Sequence, residues 1–347
     1  MRRSEIEKRE QAITRGIGFI YRTACDPKNF AVYGFDYLCC FSLIASTSRD
    51  SSLRKMAREM GRERARRWRR ENPKLPSGAD PKTITDFIDA TVSADKLGVR
   101  DGELKKRIRQ AAKSFTVQDF LGFDPALERP PKDLPKRCRC GLKNSRGRRT
   151  CQGCKSRLRM QSRYETWMEA IYRGYRNQRS GVMLGTKYAD AIRWLPEMRP
   201  YSGLKDTTAD DFHSSVYAVT HVVYTLNDYG RFKLSPRWLP HEFDFLKENL
   251  QEAVALDDPE MVGEFLDTLK AFGLTDGHLL IRHGTEYLLS HQNLDGSWGN
   301  VNADDIHHRY HPTWTAIDGL RDYAWRGERL SFPKLKPWLE HWARKRQ

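Results

Sequence analysis

The stretch HGTEYLLSHQNLDGSWGNVNADDIHHRYHPTWTAIDGLRD, residues 283–322, decides how we interpret the fold. An apolar helix runs into Gln292, a DGSWG turn at 295–299 and a His-rich loop, and a second apolar helix is predicted from Pro312. The glycines permit the positive φ of a tight turn, and proline suits the first turn of a helix, where its missing N–H costs nothing. Trp298 therefore places a large ring with one N–H donor at the corner between two helices.

This stretch resembles the QW repeat of the α/α-toroid proteins, a family that includes terpene cyclases and protein prenyltransferase β-subunits. The resemblance rests on Gln292, on residues 295–299 and on the helix that follows at 311–320. In that family the Gln and Trp tie an outer helix to the next inner helix, and the repeats close into a ring around a central cavity. The resemblance implies an all-α fold, an α/α toroid of concentric inner and outer helices, here with a small zinc-knuckle insertion.

The rest of the chain supports a helical interpretation. Residues 4–24 have an apolar side, and 32–46 form a nearly all-apolar helix, as expected of a buried element. With the turn between them at 25–30, these two segments have the layout of a degenerate first repeat. Further helices are predicted at 50–71, 82–93, 101–113, 158–178, 184–194, 212–228, 240–254, 259–273 and 333–345. We divide the chain into an N-terminal part of the toroid (1–122), a linker and zinc-knuckle insertion (123–157) and a C-terminal part (158–347).

The lengths of the apolar runs and the number of cysteines indicate the cellular compartment. No run of about 18 apolar residues occurs, so no transmembrane helix is expected, and the N-terminus lacks the apolar core of a signal peptide. Seven cysteines in 347 residues, four of them in a metal-like pattern, favour a reducing compartment. We therefore expect a cytoplasmic protein.

The net charge of +16 is concentrated in two basic blocks, 54–70 and 132–163. Such blocks can engage a nucleic acid or an acidic peptide. The alternative is that they are solvated helix faces, and no motif that reads base edges accompanies them.

The four cysteines in CRCGLKNSRGRRTCQGC are spaced as C-x-C and C-x-x-C: Cys138, Cys140, Cys151 and Cys154. Two close pairs joined by a hairpin-sized spacer can supply four thiolates around a tetrahedral Zn²⁺. The pattern resembles the knuckles of zinc ribbons. Four thiolates close the coordination shell, which indicates a structural zinc. We call residues 136–156 the cysteine module.

The predicted inner helices carry polar groups that an ordinary core would not contain. Asp36, Asp267 and Asp318 occupy the same place in three apolar frames. Glu264 lies three residues before Asp267, and His311 lies seven before Asp318, so each pair shares a helix face. We predict Asp318, Asp267, Asp36 and Glu264 as catalytic residues of a lumen site.

Imidazoles mixed with carboxylates form the usual ligand set of catalytic metals. The candidate ligands of a second metal ion (Fe, Zn, Mn or Cu) are His213, His221, His307, His308 and His311. Such a metal would polarise the substrate or activate water or O₂. The alternative is that the aspartates only bind neighbouring helix ends and the histidines are satisfied core residues.

An aromatic inner wall (Tyr33, Tyr217, Tyr224 and Trp314) suits an apolar or aromatic small molecule or a peptide side chain. The resemblance also implies a terpene-cyclase or prenyltransferase activity on an isoprenoid. In a zinc site like that of the prenyltransferases, Asp304 or Asp305 would take the place of one metal ligand and His311 that of another. The DxDD and DDxxD motifs of that chemistry are absent, however, and no Cys follows Cys154. The leading hypothesis is a metal-dependent enzyme, and the third alternative is a nucleic-acid or acidic-peptide binding protein.

Overall fold

The computed structural model of the protein describes residues 3–344, and this part of the chain is all-helical. It contains fifteen α-helices and, among the described residues, only isolated β-bridges instead of strands. The chain forms two compact units. The first unit contains the chain up to Lys74, Asp89–Gly102 and the chain from Leu226; the second contains Leu75–Ile88 and Glu103–Thr225. The boundaries predicted at 122 and 157 both fall inside the second unit.

The helices follow the predicted order. Those of the first unit are α1 (Arg3–Cys25), α2 (Pro27–Thr47), α3 (Ser51–Glu71), α11 (Pro240–Ala255), α12 (Pro259–Ala271), α13 (Leu279–Ser290), α14 (His307–Leu320) and α15 (Lys336–Arg344). Helix α4 (Pro81–Lys96) crosses the boundary after Ile88. Apart from the terminal residues Gly102 and Leu226, the second unit contains α5 (Gly102–Ala112), α6 (Val117–Leu121), α7 (Arg163–Ser180), α8 (Tyr188–Ile192), α9 (Leu195–Met198) and α10 (Ala209–Leu226).

Helix α2 is the most apolar helix of the first unit, and its start is fixed by capping. The carboxylate of Asp26 accepts the N–H groups of Lys28 and Asn29, and Pro27 occupies the first turn. Only one residue separates α1 from α2, so the predicted turn at 25–30 is shorter than expected. By length and composition α2 could cross a membrane, but 67% of its most apolar window is buried within the protein. A core helix passes the same test.

The DGSWG turn at residues 295–299 forms a corner that packs against α1, near the start of the chain. The indole N–H of Trp298 donates to the carbonyl of Leu288 at 2.7 Å, and the amide of Gln292 donates to the carbonyl of Ala12 in α1 at 2.8 Å. Trp298 is fully buried, and a Cβ on Gly16 of α1 would lie 3.0 Å from its ring. The first helix therefore packs against the corner before α14.

The start of α14 differs from the prediction. The helix begins at His307, so His307 and His308 lie in its first turn and Pro312 lies inside it. Because Pro312 has no N–H, the carbonyl of His308 receives no helical hydrogen bond from it. Gly299, at φ +89°, approaches this carbonyl so closely that a Cβ would lie 2.4 Å from the oxygen. The glycine of the corner thus fits against the gap that the proline leaves.

Most arginines of the first basic block have partners inside the first unit. Arg64 donates to the carbonyl of Ala24 at the end of α1, Arg54 to those of Ser48 and Arg49 beyond the end of α2, and Arg62 to that of Leu97 at the end of α4. The last carbonyls of a helix lack partners within it and carry negative partial charge. The block at 54–70 is therefore largely a set of helix caps, which neither alternative of the sequence interpretation anticipated.

Candidate functional site

The four cysteines of the cysteine module converge. The sulfur atoms of Cys138, Cys140, Cys151 and Cys154 all lie within 4.8 Å of one another. Cys138 Sγ is 3.4 Å from Cys154 Sγ, and Cys140 Sγ is 3.6 Å from Cys151 Sγ. Four thiolates about 2.3 Å from one tetrahedral Zn²⁺ are about 3.8 Å apart. The site therefore has the donor set and nearly the spacing that a metal ion of this kind needs, and it could hold one.

Local backbone geometry positions these thiols. The N–H of Gly141 donates to the carbonyl of Cys138 in a tight turn, with Gly141 at φ +86°. The second turn closes with the N–H of Lys155 on the carbonyl of Cys151. Asn144 is buried, and its side-chain oxygen accepts the N–H of Gln152 at 2.9 Å. Asn144 thus links the two knuckles.

Hydrogen bonds already favour thiolates in part of the cluster. The N–H of Cys154 lowers the pKa of Cys151 to about 6, and the Ser156 hydroxyl lowers the pKa of Cys154. The N–H of Leu142 also favours the thiolate of Cys140, but contacts with the other three thiols outweigh it and raise the pKa of Cys140 to about 11. Metal binding would ionise the thiol of Cys140, because a coordinated thiol is deprotonated.

A second group of polar side chains lies in the first unit, between α2, α12 and α14. We call it the polar cluster; its predicted members are Asp36, Glu264, Asp267, His307, His311 and Asp318, and it also contains Glu260, Tyr310 and Arg321. At one end, His311 Nδ1 lies 3.0 Å from Glu260 Oε1. Burial alone would lower the pKa of His311, but the carboxylates of Glu260, Asp36 and Glu264 raise it to about 9. The imidazole is therefore a cation at neutral pH.

The ring of His307 stacks on that of His311, with centroids 4.9 Å apart. Burial and the positive charge of His311 lower the pKa of His307. The hydroxyl of the buried Tyr310 donates to Asp36 Oδ2 at 2.7 Å, and the hydroxyl of Tyr33 donates to Asp305 at 2.8 Å. Three of the predicted residues, His307, His311 and Asp36, thus lie at one end of the polar cluster.

The other end contains two carboxylates and an arginine. Arg321 Nε donates to Asp318 Oδ1 at 2.6 Å, and Arg321 Nη1 also donates to the hydroxyl of Thr47 at the end of α2. Burial and the charge of Asp318 raise the pKa of Asp267 to about 7. The Oδ1 atom of Asp267 is buried and has no hydrogen bond among the described residues. The charge of Arg321 and the hydroxyl of Tyr323 lower the pKa of Asp267, but burial and the charge of Asp318 outweigh them.

A single face of α14 connects the two ends. His307, His311, Trp314 and Asp318 recur at helical spacing, and all four are partly exposed although the opposite face of the helix is buried. Burial raises the pKa of Asp318, whereas Arg321 and the indole N–H of Trp314 favour its ionised form. The thiol of Cys40 lies near both ends, since after burial the charges of Asp318 and Asp36 contribute most to its raised pKa.

The remaining predicted histidines lie elsewhere. His213 and His221 lie on α10 in the second unit, in a run of rings with Tyr217 and Tyr224: the His213–Tyr217 centroids are 4.5 Å apart and the Tyr217–His221 centroids 5.9 Å. His213 also lines a cavity of about 490 Å³ at the first turns of α7 and α10. His308 is exposed. In the described part of the chain, only the four cysteines bring three or more metal-type ligands within 4.8 Å of one another. A second metal site thus stays a prediction.

Three members of the polar cluster were missed by sequence reasoning. The sequence interpretation placed Glu260 in an apolar helix and Tyr310 in the loop before the last inner helix. It gave no role to Arg321, which directly follows that helix. One signal was present for Glu260, because it lies four residues before Glu264 and so shares its helix face. For Arg321 no local signal existed, because its partners Thr47 and Ser48 are more than 270 residues away.

Comparison of the chain with protein-family models, with curated proteins and with solved structures finds no match in any of the three.

Proposed function

We propose that the protein is an enzyme whose active site is the polar cluster, and that it acts on an apolar or aromatic small molecule or on a peptide. The observation that carries the proposal is the joint presence, between α12 and the half-open face of α14, of a cationic imidazole, His311, and a buried carboxyl group with a pKa of about 7, Asp267. Strongly perturbed titratable groups of this kind concentrate at functional sites.

The cluster suits general acid–base chemistry. His311, held as a cation by Glu260, can donate a proton or anchor an anionic group. Asp267 can accept a proton near neutral pH, where a general base is most effective. Asp318 is fixed by Arg321 and keeps Asp267 from ionising at lower pH. Glu260 holds His311 and is therefore a positioning residue. Asp36 likewise positions Tyr310, whose hydroxyl it accepts.

The α/α-toroid arrangement is part of the proposal. Three observations support it within the first unit: the QW-like contacts of Trp298 and Gln292, the packing of α14 on α1 and α12, and the hydrogen bond of Tyr310 in α14 to Asp36 in α2. In a toroid such faces line the lumen, as the resemblance implies.

We assign the four-cysteine cluster to a structural Zn²⁺, since four thiolates leave no open position for a substrate. Thiolates that hold zinc persist in a reducing compartment, so a cytoplasmic location belongs to the same proposal. A second, catalytic metal is a separate question that metal analysis answers. One zinc per chain, lost in a Cys138→Ser/Cys151→Ser variant, leaves acid–base chemistry; a second metal that survives in that variant restores the metal-dependent mechanism.

The test is turnover of a panel of compounds followed by mass spectrometry, with aromatic metabolites, short peptides, isoprenoid diphosphates and an apolar polyene in separate pools. We expect a mass change in one pool with the wild-type protein. His311→Gln and Asp267→Asn should each reduce the rate about 10²–10⁴-fold, the usual range for loss of a general acid or base. His341→Gln changes an exposed histidine of α15 and serves as the control.

The pH dependence adds a second readout. Activity that needs ionised Asp267 and protonated His311 rises near pH 7 and falls near pH 9. Turnover that is unchanged in both variants would refute the assignment of the site. Turnover of the isoprenoid pool alone would instead establish the terpene-cyclase or prenyltransferase alternative.

A further inference from the structure

The cysteine module carries a surface that the polar cluster does not explain. The second basic block, 132–163, contains twelve lysines or arginines and one aspartate. Some of them are paired: Arg146 with Glu128 and Asp133, and Lys136 with Glu165. The exposed arginines without an acidic partner among the described residues are Arg139, Arg148, Arg149 and Arg157. We call these four the knuckle arginines.

The knuckle arginines sit on a rigid support. Arg139 lies between Cys138 and Cys140, Arg148 and Arg149 shortly precede Cys151, and Arg157 pairs through its backbone with Thr150. Because the four sulfur atoms lie within 4.8 Å of one another, the chain segments that bear these arginines are held close together. Four guanidinium groups on neighbouring segments, with no carboxylate paired to any of them among the described residues, form a positively charged surface, which points to an anionic partner.

The knuckle arginines differ in this respect from the arginines of the first basic block. Arg54, Arg62 and Arg64 of α3 bind helix-terminal carbonyls of the protein itself. Among the knuckle arginines, Arg148 donates to the side-chain oxygen of Gln152 within the cysteine module, and no helix-terminal carbonyl among the described residues accepts from the four. Guanidinium groups that remain free can bind phosphate oxygens in a bidentate manner.

The composition of the block also selects the kind of partner. Residues 132–163 contain no Phe, Tyr or Trp. Proteins that bind single-stranded nucleic acid use aromatic rings to stack the bases, so this surface lacks the means to hold unpaired bases. We propose that the knuckle arginines bind double-stranded nucleic acid through its phosphate backbone, without reading its sequence.

The experiment measures anisotropy of a fluorescein-labelled 20-bp DNA duplex of mixed sequence with the full-length protein, between 50 and 200 mM KCl. One variant carries Arg139→Gln, Arg148→Gln, Arg149→Gln and Arg157→Gln. The matched control removes the same charge from exposed positions of the first unit: Lys55→Gln, Arg66→Gln, Arg70→Gln and Arg237→Gln. Metal content and circular dichroism confirm that both variants are folded.

Each phosphate contact contributes about 0.9 to the slope of log K against log salt. Loss of four contacts lowers this slope by about 3.6, so from 50 to 200 mM KCl the wild-type affinity falls about 150-fold more than that of the variant. The control should keep the wild-type slope. A 20-bp RNA duplex should bind comparably, because the contacts are to phosphates.

Three results would overturn the proposal. Equal losses in the variant and the control mean that only overall charge matters. If the protein binds single-stranded DNA more tightly than the duplex, the surface does not recognise the phosphate backbone of double-stranded nucleic acid. A 20-residue poly-glutamate that competes as well as the duplex identifies an acidic peptide as the partner. None of these results bears on turnover at the polar cluster, so this inference stands or fails independently of the proposed enzyme activity.

Discussion

Replacing Asp267 by asparagine should stabilise the protein at neutral and alkaline pH. The side chain keeps its size but loses its charge, and it lies in the polar cluster beside Asp318 and Arg321. An ordinary aspartate has a pKa of about 3.8, whereas that of Asp267 is about 7. Catalytic groups are often unfavourable for stability, so the sign of this effect separates a functional carboxyl group from a structural one.

The magnitude follows from proton linkage. Below pH 3.8 the carboxyl group of Asp267 is protonated in both states and contributes nothing. Between pH 3.8 and 7 the folded protein keeps a proton that the unfolded chain releases, so the free energy of unfolding decreases as pH rises. One pKa unit corresponds to about 1.4 kcal/mol, which gives a destabilisation on the order of 4 kcal/mol above pH 7. Between pH 5 and pH 7 the change is about 3 kcal/mol.

The assay is guanidinium unfolding of wild type and Asp267→Asn at pH 5 and pH 8. The advantage of the variant should grow by about 3 kcal/mol between the two pH values. This double difference cancels any effect of the amide that does not depend on pH. Asp206→Asn, at an exposed position, should show no growth. A variant that is less stable than wild type at both pH values would mean that Asp267 makes a structural contact, and the site assignment would lose its main support.

Two further predictions concern the metal and the corner before α14. Cys140→Ser should abolish zinc binding and expose the cysteine module to proteolysis, whereas Cys25→Ser should leave the zinc content at one per chain. Metal analysis and limited trypsin digestion measure the two effects. Zinc retained in Cys140→Ser would contradict the four-thiolate site. Gly299→Ala should lower the free energy of unfolding by at least 2–3 kcal/mol more than Gly273→Ala. Both glycines have positive φ, but a Cβ at Gly299 meets the carbonyl of His308 at 2.4 Å, and one at Gly273 meets nothing within 4 Å. Equal losses in chemical denaturation would show that the corner relaxes.

Much of the local structure was predictable because its signals lie in short stretches of sequence. The apolar run at 32–46 indicated the buried helix α2, and the spacing of four cysteines indicated a metal-type cluster. The start of α14 was wrong because proline was assumed to mark the first turn. In the folded protein Gly299, which is 13 residues from Pro312 along the chain, fits against the carbonyl that the proline leaves free, and this allows the proline inside the helix.

The candidate site was only partly predictable for a related reason. A polar residue in an apolar helix is visible in the sequence, and Asp36, Asp267 and Asp318 were found in this way. The pKa of each carboxyl group depends on the side chains that contact it, and these come from distant parts of the chain. Tyr310, for example, donates its hydroxyl to Asp36 from 274 residues away. The sequence therefore located candidate charges without their pKa values.

The two basic blocks show why composition alone does not assign function. Both are rich in arginine, and on charge alone both were candidates for binding an anionic partner. In α3 the arginines follow the ends of neighbouring helices, where free carbonyl groups attract them, so the charge of that block is largely a product of folding. The four knuckle arginines, in or next to the cysteine module, stay exposed without an acidic partner among the described residues. A charge that folding does not use is a better indicator of an external partner than a charge that is merely abundant, and this difference is visible only when the partners of each arginine are known.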